Sequence, residues 1–580
     1  MLKQLAGCVR EYKRPTILTL IFIVGEAVIE TIIPFITANL VNRIKADASI
    51  ESVMEVGLLL IIMAAISLVC GGLAGFTCAK ASTGFAKNLR SDLFHRIQTY
   101  SFENIDKFSS SSLVTRMTTD VTNVQMAFMM LIRIAIRSPL LLIFSTVMAF
   151  VMGGKLAFVF VVVIPILAFG LLAIGKKAMP AFRSVFKKYD RLNESIEENV
   201  RGMRVVKGFS REEYEKQKFN TAADNIRKDF TKAECIVALN TPLMNLCMYI
   251  NMVVVLLVGS KLAITSGGSA LDVGQISGML TYGMQILMSL MMLSMIYVMV
   301  TMSAESAKRI CEVLEEEPSL KEPENPVMEV KNGSIEFKNV NFKYSAKAKK
   351  YALSDIDLSI RSGMTVGIIG GTGSSKSSLV QLIPRLYDVT EGAVLVGGVD
   401  VRSYDIPALR SAVAMVLQKN VLFSGTIKDN LRWGNETATD EEIREACRLS
   451  QADEFIQTFP DKYDTYIEQG GSNVSGGQKQ RLCIARALLK KPKILILDDS
   501  TSAVDTKTDA LIRAGFKNYI PDTTKIIIAQ RIASVEDADL IIVMDNGSIS
   551  AAGTHEDLLQ SSDIYREVYE QQTKGGNENE

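Results

Sequence analysis

The stretch that decides how this 580-residue chain is read is Gly370-Gly371-Thr372-Gly373-Ser374-Ser375-Lys376-Ser377. It follows the apolar run Val366–Ile369 and precedes the helical pattern Ser378–Leu382. A glycine-rich turn between a buried strand and a helix N-terminus presents backbone N–H groups to phosphate oxygens. We expect Lys376 to neutralise β- and γ-phosphates and Ser377 to ligate Mg²⁺. One position departs from this pattern: the glycine expected before the lysine is Ser375, whose Cβ should crowd the phosphates or strain the backbone.

Around this loop, from about residue 335, short β-branched runs alternate with helical segments. We predict strands at Thr365–Ile369, Ala412–Leu417, Ile494–Leu497, Lys525–Ala529 and Leu540–Met544. Such alternation is typical of an α/β domain with a largely parallel sheet. Asp498 and Asp499 directly follow a predicted strand. We expect Asp498 to reach the magnesium ion and Asp499 to orient the attacking water.

The first 310 residues have a different character, because long stretches carry no charge. Uncharged runs cover 57–79, 156–175, 235–260 and 273–304, and two further apolar runs, 17–40 and 121–153, tolerate a few charges. A helix that spans a bilayer needs about 20 mostly apolar residues. The sequence therefore predicts an all-α membrane domain with six transmembrane helices, which excludes a soluble ATPase.

Lysine and arginine set the expected topology. They concentrate in the first fourteen residues and in two long loops, 80–120 and 176–234, whereas the other connections are short and carry few. We expect a multi-pass protein of the cell membrane whose termini, long loops and second domain are cytoplasmic. The loops should be helices that continue out of the membrane. The predicted domains are an amphipathic elbow helix (1–14), the membrane domain (15–310), a linker (311–328) and the nucleotide-binding domain (329–580).

Composition excludes several classes of protein. The formal net charge is +1, so the chain has no excess of positive charge that would indicate nucleic-acid binding. The 48% hydrophobic content excludes general disorder. The eight cysteines are scattered without a CxxC pair, so neither a disulfide framework nor a zinc site is indicated. Only two histidines occur, His95 and His555, so any chemistry that needs a histidine must use one of them or a partner's.

Between the two phosphate-site motifs lies Val474-Ser475-Gly476-Gly477-Gln478. With this motif the chain resembles the ATP-binding-cassette (ABC) transporters, and its layout of a membrane domain followed by one cassette resembles an exporter-type half-transporter. The resemblance implies ATP and Mg²⁺ as cofactors, with Ser377, Gln418 and Asp498 around the metal. It also implies ATP-driven export.

The same resemblance assigns further roles. Tyr344 matches the family's adenine-stacking aromatic, and the phosphate-binding set continues to Ser378. Gln418 matches the glutamine that touches magnesium and water and reports to the membrane domain. Ser502-Ala503-Val504-Asp505 resembles the loop that communicates across the cassette dimer, and Glu468-Gln469-Gly470-Gly471 resembles the segment that contacts the intracellular loops.

Two substitutions depart from the family pattern. Asp499 stands where the family has glutamate, and its carboxylate lies about 1.5 Å further back. Gln530 stands where the family has a histidine, and an amide carries neither a transferable proton nor a charge. Together with Ser375 they predict a degenerate, slow ATP site. Because the 474–478 signature is intact, we expect it to complete a competent site whose glutamate and histidine belong to a second half-transporter. The alternatives are a homodimer with two weak sites, exporting lipid or peptide, and a regulator or channel that does not pump.

Residues of the membrane domain suggest a substrate class. In the last span, methionines recur on one helical face: Met284, Met288, Met291, Met295, Met299 and Met302. They suit a cavity for hydrophobic, multidrug-like compounds, or else a packing stripe against lipid or another helix. Four intramembrane charges, Glu26, Glu30, Arg133 and Arg137, either pair with each other, line the cavity or lie near an interface. Because the chain begins with the membrane domain, we do not expect a leader-cleaving peptide exporter.

Overall fold

A computed structural model describes residues 2–45, 49–267, 271–345, 348–499 and 506–576. The chain divides into two compact units. The first comprises Met1–Thr99 and Ser109–Glu316, and the second comprises Tyr100–Phe108 and Glu317–Glu580.

The helices up to the end of the first unit are mostly long. They are α1 (Leu2–Gly7), α2 (Lys13–Lys45), α3 (Ile50–Gln98), α4 (Phe102–Phe108), α5 (Ser110–Thr115), α6 (Val121–Gly153), α7 (Phe158–Arg201), α8 (Met203–Gly208), α9 (Glu212–Ala238), α10 (Asn240–Thr265) and α11 (Val273–Glu315), and of these only α4 belongs to the second unit. At about 1.5 Å per residue, the 49 residues of α3 extend over about 70 Å, more than twice the bilayer core. The elbow predicted at 1–14 is α1 followed by a 3₁₀ turn, and α11 continues into the predicted linker as far as Glu315.

Five segments of the described chain are long and apolar enough to cross a membrane. They are Arg10–Lys45, Ile50–Gln98, Ser110–Phe182, Glu212–Thr265 and Val273–Glu315. The third of these contains all of α6 and part of α7, which a 3₁₀ turn at Gly154–Ala157 separates. The multi-pass helical character is therefore confirmed, while the count of six spans is not.

Local signals position the ends of these helices and the contacts between them. Asp272 starts α11 with a capping box, in which its carboxylate accepts from Gln275 N and the Gln275 side chain accepts from Asp272 N. One turn of π-helix, Arg116–Asp120, precedes α6. It delivers the fully buried Asp120 to α11, where the carboxylate accepts from Arg309 Nε at 2.8 Å and from Ser306 at 2.8 Å. A buried charge requires such partners.

In its described residues, the second unit contains the strands and nine further α-helices. The strands are β1 (Ile335–Phe342), β2 (Leu353–Ile360), β3 (Thr365–Gly370), β4 (Glu391–Val396), β5 (Val399–Asp400), β6 (Val413–Val416), β7 (Gly425–Thr426), β8 (Tyr466–Ile467), β9 (Ile494–Asp498), β10 (Thr524–Ile528), β11 (Leu540–Asp545) and β12 (Ser548–Gly553). The helices are α12 (Lys376–Gln381), α13 (Ile406–Ala412), α14 (Ile427–Arg432), α15 (Asp440–Leu449), α16 (Asp453–Gln457), α17 (Gly476–Leu489), α18 (Thr506–Tyr519), α19 (His555–Ser561) and α20 (Asp563–Gly576).

Most of the main sheet is parallel. Its order is β12-β11-β3-β10-β9-β6, and only β12 pairs antiparallel. The five predicted strands lie in this sheet, so the α/β class is confirmed. The second, antiparallel sheet, β2-β1-β4-β5, is not predicted from the sequence, and its two longest strands mix buried residues with half-buried and exposed ones.

Side chains that alternate along the central strands build two apolar layers. In β9, Leu495 and Leu497 belong to one buried cluster, while Ile494 and Ile496 belong to the other. Because both faces are covered, the strand reads as a continuous apolar run. The polar residue that ends it therefore lies at the edge of the sheet.

Candidate functional site

The site begins at the carboxyl edge of the parallel sheet. β10 lies between β3 and β9, with Ile528 paired to both Ile368 and Asp498. The segments that follow these three strands therefore leave the sheet side by side. This topology brings together the glycine-rich loop after β3, the acidic pair at the end of β9 and Gln530 after β10.

The glycine-rich loop has an unusual backbone. Gly370 has a φ of 157° and leaves no room for a Cβ, which would lie 2.2 Å from the carbonyl oxygen of Met544. Ser375 adopts the left-handed region, at φ 69° and ψ 26°, immediately before α12. A non-glycine residue in this region costs about 1–2 kcal/mol. Of the two consequences expected for Ser375, the structure therefore has the strained backbone.

Lys376 and Ser377 direct their polar atoms into this loop. Lys376 Nζ donates to the carbonyl oxygens of Gly370 at 2.7 Å and Gly371 at 2.8 Å. Ser377 Oγ donates to Asp498 Oδ1 at 3.1 Å, which brings together the hydroxyl and the carboxylate predicted to bind metal. Hydroxyl and carboxylate oxygens fit a hard cation such as Mg²⁺.

Burial shifts the pKa values of both Asp498 and Lys376. It raises the pKa of Asp498, and the negative charge of Asp499 raises it further, while Ser377 and Lys376 oppose the change. Burial also lowers the pKa of Lys376, against the attraction of the two carboxylates. A divalent cation and a polyphosphate are the charges that would offset these desolvation costs.

Asp499 is held from several directions. Its Oδ2 accepts hydrogen bonds from Gln530 Nε2 at 2.7 Å and from Gln418 Nε2 at 3.3 Å. Its carbonyl oxygen accepts from Gln480 at 3.4 Å, and its N–H donates to the carbonyl oxygen of Ile528 at 3.1 Å. Asp499 and Gln418, both predicted to act on the attacking water, thus meet Gln530 at one carboxylate oxygen, to which the two glutamines donate through their side-chain amides.

Tyr344 borders the same loop. Its hydroxyl shares a hydrogen bond of 2.8 Å with Ser378 Oγ, and its ring packs edge-on against Phe342 and Tyr387. Burial raises the pKa of Tyr344, so the phenol stays neutral. The side chain is still 42% exposed, which leaves ring surface for a stacked base.

The signature motif forms a helix N-terminus on the surface. Ser475 caps α17: its Oγ accepts from Gln478 N at 3.3 Å, and its N–H donates to Gln478 Oε1 at 2.9 Å. Val474 is buried beneath the turn, whereas Ser475 and Gly476 are exposed. The first N–H groups of α17 therefore face outward, in an arrangement suited to a phosphate bound by a facing molecule.

Other predicted residues lie elsewhere or outside the described chain. The communication loop 502–505 lies outside the described residues. His555 Nδ1 shares a hydrogen bond of 2.7 Å with the Tyr565 hydroxyl, and its ring packs against Tyr569, so it belongs to the packing between α19 and α20. His95 is exposed on α3. In the segment Glu468–Gly471, the Glu468 carboxylate accepts from Ser472 Oγ at 2.6 Å.

Sequence reasoning missed a contact between α4 and the cassette core. Tyr387 Oη donates to Asp106 Oδ2 at 2.7 Å, and the rings of Phe102 and Tyr387 lie 6.1 Å apart. Tyr387 also packs against Tyr344. Neither Tyr387 nor Asp106 belongs to a motif, so no sequence signal pointed to this pair. The contact joins α4, a segment of the long loop predicted at 80–120, through Tyr387 to Tyr344 beside the phosphate loop.

In the first unit, the charged and methionine candidates occupy distinct surroundings. Arg137 Nη2 lies 2.6 Å from Glu30 Oε2 and 3.4 Å from Glu26 Oε1, so pairing accounts for three of the four charges. The methionine face of α11 is largely open within the unit. Met284, Met288 and Met295 are 49%, 60% and 58% exposed, and Met291 and Met299 are half-buried.

Comparisons with known proteins agree with this architecture. Two family models match: the ABC transporter transmembrane region over residues 16–290 and the ABC transporter model over residues 353–502. The uncharacterized ABC transporter ATP-binding protein YfiB of Bacillus subtilis is 36% identical, over 96% of each chain. A similar protein of Mycobacterium tuberculosis, MT1311, is 35% identical, also over 96% of each.

A solved structure shares the fold. It is that of a bacterial Atm1-family ABC exporter with ATP bound, with a TM-score of 0.85 and 23% identity, covering 97% of this chain and 99% of that one. The sequence matches thus extend over nearly the whole chain, through both the membrane helices and the ATP-binding domain. This chain belongs to the ABC transporter family, with its transmembrane region and its ATP-binding domain fused in one polypeptide.

Proposed function

We propose that this chain is one half of a heterodimeric ABC exporter and that its own phosphate loop forms a degenerate ATP site. The observation that carries the proposal is the Asp499 carboxylate, whose Oδ2 accepts from both Gln530 and Gln418. A general base has to be within reach of the water whose proton it takes. Here the shorter carboxylate accepts hydrogen bonds from two side-chain amides, and an amide can neither take up a proton nor carry a charge.

The rest of the pocket keeps the parts needed to bind nucleotide. Lys376 and the loop N–H groups bind the phosphates. Ser377, Asp498 and Gln418 bind Mg²⁺, and Tyr344 stacks on the adenine. Binding and hydrolysis are therefore separated: this pocket holds ATP and turns it over slowly.

The signature of this chain serves the other site. The turn 474–478, exposed at Ser475 and Gly476, is proposed to contact the ATP held by the partner's phosphate loop, where a glutamate and a histidine complete the catalytic machinery. The loop 502–505 is proposed to pass the state of one site to the other. Each nucleotide then needs both chains.

The proposed membrane arrangement has six spans, with the termini and the cassette on the cytoplasmic side. ATP closes the two cassettes and opens the cavity outward, and hydrolysis at the partner's site resets it. We propose that the exposed methionines of α11 line this cavity and accept hydrophobic or amphipathic compounds from the cytosol or the inner leaflet.

Affinity purification through a tag on this chain tests the assembly. We expect a second half-transporter to co-purify, with glutamate and histidine at the positions of Asp499 and Gln530. The pair should hydrolyse ATP faster when a hydrophobic substrate is added. A Lys376→Ala variant should lose little of that activity, whereas the equivalent change in the partner should abolish it. Robust ATPase activity from this chain alone would contradict the proposal and support a homodimer.

A further inference from the structure

Two arginines one turn apart on α6 have different surroundings. Arg137 is shared by two carboxylates, with Nη2 2.6 Å from Glu30 and 3.4 Å from Glu26. Arg133 is exposed, and within the described part of the chain it forms no ion pair. Ion pairs therefore engage one of these two arginines and leave the other exposed.

Two glycines of α3 make room beside these charges. A Cβ at Gly71 would lie 3.2 Å from Glu26 Oε1, and a Cβ at Gly75 would lie 3.8 Å from Arg133 Nη1 and Nη2. The Arg133 guanidinium thus lies against the backbone of α3 and does not extend away from the protein. Its position is defined by packing, while its donors remain accessible.

The depth of Arg133 follows from the sequence of α3. Gly75 precedes Lys80, the first charge after the uncharged run, by five residues. At about 1.5 Å per residue, Gly75 lies about 8 Å inside the boundary of the apolar span. With the cytoplasmic orientation proposed above, this is the inner leaflet. A charge at such a depth is costly and marks a functional site more often than a structural one.

Apolar surface lies on the neighbouring helix. Gln285 of α11 donates to the Glu30 carbonyl oxygen at 3.3 Å and accepts from Ser145 of α6 at 2.8 Å, which ties α11 to the helices that carry the charges. Asn123 of α6 donates to Ser306 of α11 at 3.2 Å, so the two helices run antiparallel and Arg133 is level with residues near 296 of α11. Met295, at this level, is 58% exposed. A cation and an apolar face are therefore presented by three helices of one bundle.

We propose that Arg133 binds the anionic headgroup, a phosphate or a carboxylate, of an amphiphilic substrate drawn from the inner leaflet. The planar guanidinium presents paired donors that match the oxygens of either group. The inference rests on the proposed export function and narrows it, because it names amphiphilic anions as the preferred class. Arg137 does not serve this role, since it is already ion-paired with Glu26 and Glu30.

The test uses the complex purified through a tag on this chain and placed in phosphatidylcholine nanodiscs. The probes are dodecyl phosphate and dodecyl maltoside, which share the alkyl chain, while only the first carries an anionic group, both below their micellar concentrations. Binding is read by native mass spectrometry and coupling by stimulation of ATP hydrolysis. We expect half-saturation by dodecyl phosphate at about tenfold lower concentration, as one charge-assisted contact provides.

Variants distinguish a specific contact of Arg133 with the anion from a general effect of positive charge. Arg133→Gln should raise the half-saturating concentration of dodecyl phosphate to that of dodecyl maltoside, and Arg133→Lys should keep part of the preference for dodecyl phosphate. Lys155→Gln, which removes an exposed charge at the turn between α6 and α7, should have no effect. An equal response to the two probes in the unmodified complex, or a preference that survives Arg133→Gln, would overturn the proposal.

Two further arms distinguish other outcomes. If a lipid headgroup is the anion, nanodiscs containing phosphatidylglycerol should suppress dodecyl phosphate binding in the unmodified complex but not the residual binding of Arg133→Gln. Absence of suppression identifies the free amphiphile as the ligand. Should neither probe stimulate hydrolysis, export would be in doubt, while the binding readout would still decide the role of Arg133.

Discussion

Gln530 Nε2 donates a hydrogen bond of 2.7 Å to Asp499 Oδ2, the same oxygen that Gln418 Nε2 reaches at 3.3 Å. The carboxylate is also constrained from its backbone, because Asp499 has a φ of 49° and its N–H is bonded to Ile528. The two departures from the family pattern, Asp499 in place of glutamate and Gln530 in place of histidine, therefore form one hydrogen-bonded pair.

The first prediction concerns repair of this pair. Asp499→Glu alone should accelerate hydrolysis at this site only a few-fold, because Gln530 still cannot carry a proton or a charge. Asp499→Glu with Gln530→His should gain about 10²-fold, the usual contribution of a well-placed acid–base group. The rates are measured in a complex whose partner has lost its own catalytic glutamate, so that only this site turns over.

The matched control for the repair is Gln530→His alone. It should give no gain, since the aspartate remains too short. Full activity from either single variant would show that the two positions act independently.

The second prediction concerns the strained serine. Ser375→Gly relieves a left-handed residue worth about 1–2 kcal/mol and adds backbone entropy to the unfolded chain worth about 0.5–1 kcal/mol. The free energy of unfolding of the cassette should therefore rise by about 0.5–1 kcal/mol, seen as a higher unfolding temperature.

The control for Ser375→Gly is Ser561→Gly, at the last residue of α19, where the backbone is not left-handed and glycine relieves no strain, so the unfolding temperature should fall. A decrease at Ser375 as well would show that the left-handed backbone carries no cost there.

The third prediction is a pH dependence. Burial and the neighbouring Asp499 raise the pKa of Asp498 above 3.8, so folding favours its protonated form. The contribution of Asp498 to the free energy of unfolding is present below the unfolded pKa and is lost as the pH rises through the folded value. Magnesium needs the carboxylate, so affinity for Mg-ATP should fall on acidification before an ordinary aspartate would titrate.

The measurement compares nucleotide affinity with Mg²⁺ and with a chelator, from neutral pH to about pH 5. The advantage given by Mg²⁺ should shrink over this range, and Asp498→Asn should show a small advantage at every pH. An advantage that stays constant down to the usual aspartate range would contradict the assignment.

The fourth prediction concerns the contact of α4. Tyr387→Phe removes the 2.7 Å hydrogen bond to Asp106, and a bond to a charged group is worth about 1.5–3 kcal/mol. Amide hydrogen exchange in residues 102–108 should become faster, because their local opening becomes easier. Tyr351→Phe, which loses the exposed bond to Glu391, serves as control and should leave those amides unchanged. Unchanged exchange in Tyr387→Phe would contradict the contact.

Sequence alone was sufficient for the parts of the molecule that depend on local pattern. The strands before Gly370 and Asp498 are continuous apolar runs because both faces of the sheet are covered, and that pattern is visible without a structure. The meeting of Ser377 with Asp498 followed from a second rule, since parallel strands end at one edge of a sheet.

Other features depend on packing between distant segments. The antiparallel sheet around β1 was missed because its strands are half-exposed and interrupted by irregular pairing. The partner of Asp120 is Arg309 and that of Asp106 is Tyr387, and no spacing rule links such pairs. The sequence left three alternatives open for the intramembrane charges. Only the packing of α2 and α6 shows that Arg137 forms ion pairs with both Glu26 and Glu30.

The central claim is that this chain's own pocket retains ATP while the partner's pocket hydrolyses it. The most direct measurement lets the native complex turn over photoreactive azido-ATP labelled on the γ-phosphate, then cross-links the nucleotide and identifies the labelled chain. Retention of the γ-label on this chain, with the label lost from the partner's site, is the predicted result. Equal loss of the γ-label from both sites would show that the Asp499–Gln530 pair does not prevent hydrolysis, and would contradict the account.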